Sequence, residues 1–271
     1  MGKITEALRR AAENRLARVD KKSEDNYVVK VDPKLTKELN IDPHVVAFSD
    51  PLSPVSEQYK TLRTNLLSLS SASKPIKTIA ITSAIHAEGK TITALNLAIT
   101  LAHELSKKSI LFVDADLRKS KVHKILGIHN VHSGLSEYLQ DSLALDSVLI
   151  KTGIDNLTLL PAGKVPKNPA ELLSSSKMKD LLKAVKNQFD YIMLDTPPVM
   201  PVTDPSTIGA QVDGVILVVQ GGRTQRDVVL RAKQLLDQAN VRILGCVMTR
   251  MEDHLPYYFY KYSSQYLYKY Y

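Results

Sequence analysis

From Lys77 onward, short runs of consecutive apolar residues alternate with longer segments of helical period. The runs are KTIAITS (77–83), SILFVD (109–114), LTLLPA (157–162), YIMLDT (191–196), GVILVV (214–219) and VRILGCVM (241–248). Unbroken apolar runs of this length suit strands covered on both faces, as a parallel sheet under two layers of helices requires. Between them, TITALNLAITLAHEL (91–105) is apolar nearly all round and predicts a buried helix. In TQRDVVLRAKQLLDQA (224–239), Val228, Ala232, Leu235, Leu236 and Ala239 make one stripe. Thr224 stands there as the expected N-cap, with Asp227 three residues on. The alternation predicts a doubly wound α/β fold with a mostly parallel sheet and helices on both faces.

Ahead of this region the pattern changes twice. In residues 1–22, Ile4, Leu8, Ala11 (or Ala12), Leu16 and Val19 recur at helical spacing, so a basic amphipathic helix is expected. Residues 20–50 are polar, contain Pro33 and Pro43, and read as a loosely ordered arm. A helix over roughly Ser53–Leu69 follows, closed by the serine-rich SLSSASKP. The expected organisation is a basic helix and arm (1–50), an α/β domain (51–256) and a terminal segment (257–271).

Composition changes the picture in three respects. The net charge is +8, of which residues 1–22 supply half: Lys3, Arg9, Arg10, Arg15, Arg18, Lys21 and Lys22 against Glu6, Glu13 and Asp20, seven minus three. The plain reading is a solvated helix packed on its own domain or a neighbour. The sharper one is an acidic membrane surface or acidic partner, with nucleic acid set aside. Cys246 is the one cysteine, so no internal disulfide forms, and its apolar run makes it an expected core residue. No apolar run approaches the about 18 residues that span a bilayer, and no signal pattern opens the chain.

The first strand ends in SAIHAEGKT (83–91) and runs straight into the buried helix. This is the context of a P-loop, in which backbone N–H groups and a helix N-terminus cradle phosphate oxygens. The phosphate-binding set is Ala87, Glu88, Gly89, Lys90, Thr91 and Ile92, with Arg118 added from the second strand's end. Lys90 is expected to reach the β- and γ-phosphates and the Thr91 hydroxyl to ligate Mg²⁺. Ala84 stands where the pattern asks for glycine, and Ala87 where many such loops have another. ILFVDADLRK (110–119) places Asp114, Asp116 and Arg118 at the end of a buried strand. YIMLDTPP (191–198) carries Asp195 at the end of its apolar run. Ligands of open α/β sheets sit outside the carboxyl ends of the strands, and all three segments end at that edge.

These motifs resemble the bacterial tyrosine autokinases of capsule and exopolysaccharide assembly, relatives of the MinD/ParA ATPases, over roughly residues 45–271. The P-loop, Asp114-Ala115-Asp116-Leu117-Arg118 and Asp195 carry the likeness. GLSEYL (134–139), LPAGKVPKNPAELLSS (160–175) and Asp204 also sit at family-like positions. The helix before the core holds Glu57, Lys60 and Arg63, similar to the family's E-x-x-R-x-x-R oligomerisation motif with Lys60 for the middle arginine. Ile85 replaces the signature lysine of the ATPase relatives, and Thr249 replaces an asparagine that reads adenine in related proteins.

Eight of the 12 tyrosines fall in the last fifteen residues: Tyr257, Tyr258, Tyr260, Tyr262, Tyr266, Tyr268, Tyr270 and Tyr271. They are the expected phosphoacceptors, on a terminus whose charge each phosphate shifts by about −1.5 to −2. The resemblance implies ATP and Mg²⁺ as cofactors, with Thr91, Asp116 and Asp195 as the metal set. Lys90, Asp114, Asp116 and Asp195 are the catalytic set, with Asp114 or Asp116 as base and Asp114 favoured. It also implies a ring-like homo-oligomer, a separate transmembrane activator or polysaccharide co-polymerase, a cognate tyrosine phosphatase, and a cytoplasmic place at the inner face of the membrane. The competing readings are a MinD/ParA-like ATPase and a nucleotide-dependent scaffold with weak kinase activity.

Overall fold

The computed structural model of the chain describes residues 40–251, apart from 72 and 104–106. The expected basic helix and the tyrosine cluster lie outside the described residues. Each apolar run has become a strand: β1 (Thr78–Ser83), β2 (Ile110–Asp114), β4 (Leu157–Leu160), β5 (Tyr191–Asp195), β6 (Gly214–Gln220) and β7 (Ile243–Thr249). A two-residue strand, β3 (Ile150–Lys151), was not expected; it is too short to show a period. The sheet order is β3-β4-β2-β5-β1-β6-β7. All neighbours are parallel except β3 and β4. Every residue of β1 and β2 is buried, which is why neither alternates.

The helix after β1, α3 (Lys90–Ala102), is buried from Thr93 to Ala102. It lies at the centre of a cluster that includes Ile79, Ile81, Leu95, Leu97, Phe112 and Met193. Its buried stretch holds three polar residues, Thr93, Asn96 and Thr100, of which Asn96 is fully buried. The Asn96 Oδ1 accepts from Ala47 N–H at 2.8 Å, and Nδ2 donates to the carbonyls of His44 at 3.0 Å and Ile92 at 2.9 Å. The segment it grips contains α1 (Val46–Ser49), with Val45 and Ala47 buried. The end of the expected loose arm is therefore pinned to the core. Buried amide groups demand partners, and this one takes two of them from the arm's backbone.

The helix α2 (Pro54–Ser68) starts where expected. Ser53 is its N-cap and accepts from Ser56 N–H at 3.2 Å, with Pro54 at the first helical position. The short helix α5 (Leu135–Leu139) sits in the GLSEYL segment. Its backbone donates from Leu135 to the Pro161 carbonyl at 2.7 Å and from Ser136 to that of Ala162 at 2.9 Å. A Cβ on Gly134 would stand 2.1 Å from the Pro161 oxygen, so only glycine permits this approach. GLSEYL and LPAGK thus form one braced unit beside the end of β4.

Two carboxylates staple the opposite rim of the sheet. Asp213 accepts from Lys77 N–H at 2.9 Å, Thr78 N–H at 2.8 Å and the Thr78 hydroxyl at 2.9 Å, and pairs with Lys186 at 2.8 Å. Asp190 accepts from Ser109 N–H at 2.9 Å and its hydroxyl at 3.0 Å.

Two expectations fail near the end of the described chain. The helix α10 (Arg226–Gln238) begins after Gln225, and Thr224 is not its cap. The Thr224 hydroxyl is taken by Glu88 instead. Cys246 is exposed rather than in the core. The reason is topological: β7 is an edge strand, so its apolar run is covered incompletely and Met248 is also exposed.

Candidate functional site

The strands β1, β2 and β5 end side by side. Asp114 is in register with Asp195 on the neighbouring strand, and Ile81 of β1 pairs with Asp195 on the other side. The loop 84–89 then carries the chain from β1 into α3. Ala84 is fully buried and its carbonyl accepts from Met200 N–H at 3.1 Å, which extends the β1 edge by one bond. Ala87 has φ +64 and Gly89, the N-cap of α3, has φ +88. Two left-handed residues bend the loop over the helix N-terminus. The glycine that many such loops carry at 87 suits that conformation better than alanine does.

Four of the expected side chains meet here. Lys90 Nζ lies 3.4 Å from Asp116 Oδ2 and 3.4 Å from Asp195 Oδ2. The Thr91 hydroxyl donates to Asp195 Oδ2 at 2.7 Å. Burial works against the Lys90 ammonium, but Asp195, Asp116 and Asp114 outweigh it and hold its pKa above the ordinary value. Lys90 therefore sits charged among carboxylates until a more negative group displaces them.

Asp114 is differently placed. It is wholly buried, its Oδ2 accepts from the Ser120 hydroxyl at 2.7 Å and from Val122 N–H at 3.3 Å, and its Oδ1 accepts from Asp116 N–H at 3.3 Å. Burial first, then the neighbouring charge of Asp195, push its carboxyl up to about 7. Asp116 turns the other way, with Oδ2 on Lys90 and Oδ1 accepting from Lys119 N–H at 3.0 Å.

The remaining expected ligands are engaged within the protein. Arg118 forms a two-pronged pair with buried Asp204, Nε to Oδ2 at 2.8 Å and Nη2 to Oδ1 at 3.0 Å. This ties the end of β2 to α9 (Asp204–Gly209), which starts on that aspartate. The Glu88 carboxylate is buried and bonded to protein donors, so a phosphate meets only its backbone. Ile92 packs against the core cluster. The Thr249 hydroxyl donates to the Glu88 carbonyl at 2.7 Å. In the α2 motif Glu57 pairs with Lys60 at 2.6 Å, while Arg63 Nη1 donates to the Thr100 carbonyl of its own subunit at 3.0 Å.

Sequence reasoning missed Ser120, Gln220 and Arg223, which carry no motif, and Asn96. A lone amide in an apolar helix was a usable signal for Asn96.

Among the described residues, no group of three or more His, Cys, Asp or Glu side chains is arranged to hold a metal by itself. Mg²⁺ keeps water and substrate phosphates as ligands and takes only one or two protein oxygens. The Thr91 hydroxyl and Asp195 carboxylate, already in contact, are the pair that fits it. The surrounding charge suits a polyphosphate. Lys119 and Lys121 after β2, Lys124 on the short helix Val122–Ile125, and Lys164 and Lys167 after β4 are exposed, and β2 and β4 are parallel neighbours whose following segments leave the same edge.

Fold and site together define a P-loop nucleotide-binding α/β protein. A family model described as an AAA domain matches residues 76–227. The tyrosine-protein kinase YwqD of Bacillus subtilis is 35% identical over 228 residues, 83% of this chain and 94% of that protein. The solved kinase domain of the Escherichia coli tyrosine kinase ETK superposes with a TM-score of 0.73 at 32% identity, covering 78% of this chain and 82% of that one. The cell division ATPase MinD of Pyrococcus furiosus shares the fold, with a TM-score of 0.55 at 24% identity over 65% of this chain and 74% of that one. The chain belongs to the bacterial tyrosine-protein kinases.

Proposed function

We propose that this enzyme is an ATP-dependent autokinase that phosphorylates the tyrosine cluster 257–271 and thereby regulates the synthesis and export of an exopolysaccharide or capsule. The observation that carries it is the contact set of Lys90, Thr91, Asp116 and Asp195 at one sheet edge, with distances of 2.7 to 3.4 Å. Bound Mg²⁺ would neutralise charge on the β- and γ-phosphates, held by Thr91 and Asp195. Lys90, released from Asp116 and Asp195, turns its ammonium to the transferring phosphoryl group. Asp116 then has a free oxygen at the pocket to orient the incoming phenol and accept its proton. Asp114 holds Asp116 in place through its N–H. The rest of the catalysis is positioning and electrostatics.

The acceptor comes from a neighbouring copy, because a chain end enters another subunit's site more readily than its own. Self-association, a separate transmembrane activator or polysaccharide co-polymerase and a cognate phosphatase complete the reading, with the enzyme cytoplasmic and peripheral at the membrane. No described helix is long and apolar enough to cross a membrane. The test is purified protein with Mg-ATP, read for both phosphotyrosine and free phosphate. Lys90→Met abolishes label, and replacing the eight tail tyrosines by Phe removes most label while nucleotide still binds. Label that survives in Lys90→Met refutes the site, label that survives without the tail tyrosines refutes the acceptor, and phosphate release without label points to an ATPase.

A further inference from the structure

The phosphate loop is gripped from outside by residues with no part in the chemistry above. Glu88 is 1% exposed. Its Oε2 accepts from Ile85 N–H at 2.7 Å, closing the loop on itself. Its Oε1 accepts from Gln220 N–H at 3.1 Å and from the Thr224 hydroxyl. Two further bonds act on the same stretch. Arg223 Nη1 donates to the Ala87 carbonyl at 3.3 Å, and the Thr249 hydroxyl donates to the Glu88 carbonyl at 2.7 Å. The donors come from the turn between β6 and α10 and from the end of β7.

This arrangement has two physical peculiarities. Among the described residues no ion pair includes Glu88, and its two carboxylate oxygens take N–H and O–H donors from Ile85, Gln220 and Thr224. A buried carboxylate with three donors is stable, but every donor is then needed. The loop also contains an alanine at φ +64, a left-handed conformation that is strained for any residue with a Cβ. The clasp on either side of Ala87 is what enforces it.

We infer that Glu88 is a positioning residue for the nucleotide: clasped by Ile85, Gln220 and Thr224, it fixes the loop in the shape that presents its N–H groups to phosphate. The inference rests on the reading of this loop as a nucleotide site. It also explains why Thr224 does not cap α10, since its hydroxyl serves the loop. A negative charge beside a triphosphate opposes binding through space, so the sign of the effect separates two roles. If Glu88 acts only as a charge, neutralising it tightens binding. If it acts as a clasp, neutralising it weakens binding, because the NH₂ group of a substituting amide must face either the Ile85 N–H or the Gln220 and Thr224 donors.

The experiment titrates a fluorescent mant-ATP with Mg²⁺ into the full chain and its variants, alongside thermal unfolding. Glu88→Gln is expected to weaken binding by on the order of tenfold, the loss that follows from one broken charge-assisted bond. Thr224→Val is expected to weaken it by about threefold at a temperature well below its unfolding midpoint, where the variant is fully folded, a loss that a residue serving stability alone would not give. The double variant is expected to bind no worse than Glu88→Gln, since the two share one contact. Unchanged or tighter binding by Glu88→Gln, next to an unsubstituted chain that binds, overturns the inference alone. An unsubstituted chain that binds no nucleotide overturns the site as well. If Glu88→Gln does not fold, Thr224→Val decides, and affinity equal to the unsubstituted chain's overturns the clasp.

Discussion

Arg118 and Asp114 lie four residues apart in one motif, and each uses its polar atoms for the scaffold rather than the pocket. The Arg118 fork closes on an aspartate that is itself fully buried. Removing the arginine leaves Asp204 desolvated and unpaired, which is the expensive way to break such a pair. Arg118→Ala is therefore expected to lower stability by about 2–3 kcal/mol, at the low end for buried pairs because Arg118 itself is partly exposed. Arg118→Ala with Asp204→Ala should cost less than the two single changes summed, read from urea midpoints. The residue types at this site were legible in the sequence: strand-terminal aspartates and a Gly-Lys-Thr have few other uses together. Their orientations were not. Nothing in the spacing of Asp114 and Asp116 says that Ser120 and Val122 claim the first and Lys90 the second, because those contacts depend on how the chain turns after the strand.

At the scale of elements, apolar runs located six strands and the buried helix, and the helix expected over roughly Ser53–Leu69 starts at Pro54. The pattern could not show which strand is at the edge. VRILGCVM reads like its neighbours, yet β7 lies outermost and leaves Cys246 uncovered. Nor did it show the staples at the sheet's other rim, which pair residues 81 and over 130 positions apart. Hydrogen bonds from Thr78 and Lys77 and the Lys186 ammonium outweigh burial and hold Asp213 below the usual carboxylate range. A depressed folded pKa stabilises above the unfolded value of about 3.9 and is lost as pH falls through the folded one. The stability difference between the wild type and Asp213→Asn should thus be constant from pH 7 to about 5 and shrink below about 4, in denaturant unfolding at each pH.

For the molecule as a whole, the two sheet edges are unequal. One is blunted by the two-residue antiparallel β3, and the other is the seven-residue β7. The β7 edge carries the chain's one thiol, exposed at its surface but partly desolvated by its neighbours, which together with the charge of Glu88 pushes it above its ordinary value. Cys246 is expected to react with a disulfide reagent in the native state, at a rate still climbing above about pH 8.5, where a free thiol is already half ionised. Reaction only after unfolding would contradict its exposure. At the far end of the described chain, Asn96 rivets the backbone of His44 and Ala47 to α3 six residues beyond Lys90, about 9 Å along the helix axis. Tension applied at residues 44–47 is consequently delivered by a stiff lever to the helix that bears the phosphate-binding lysine.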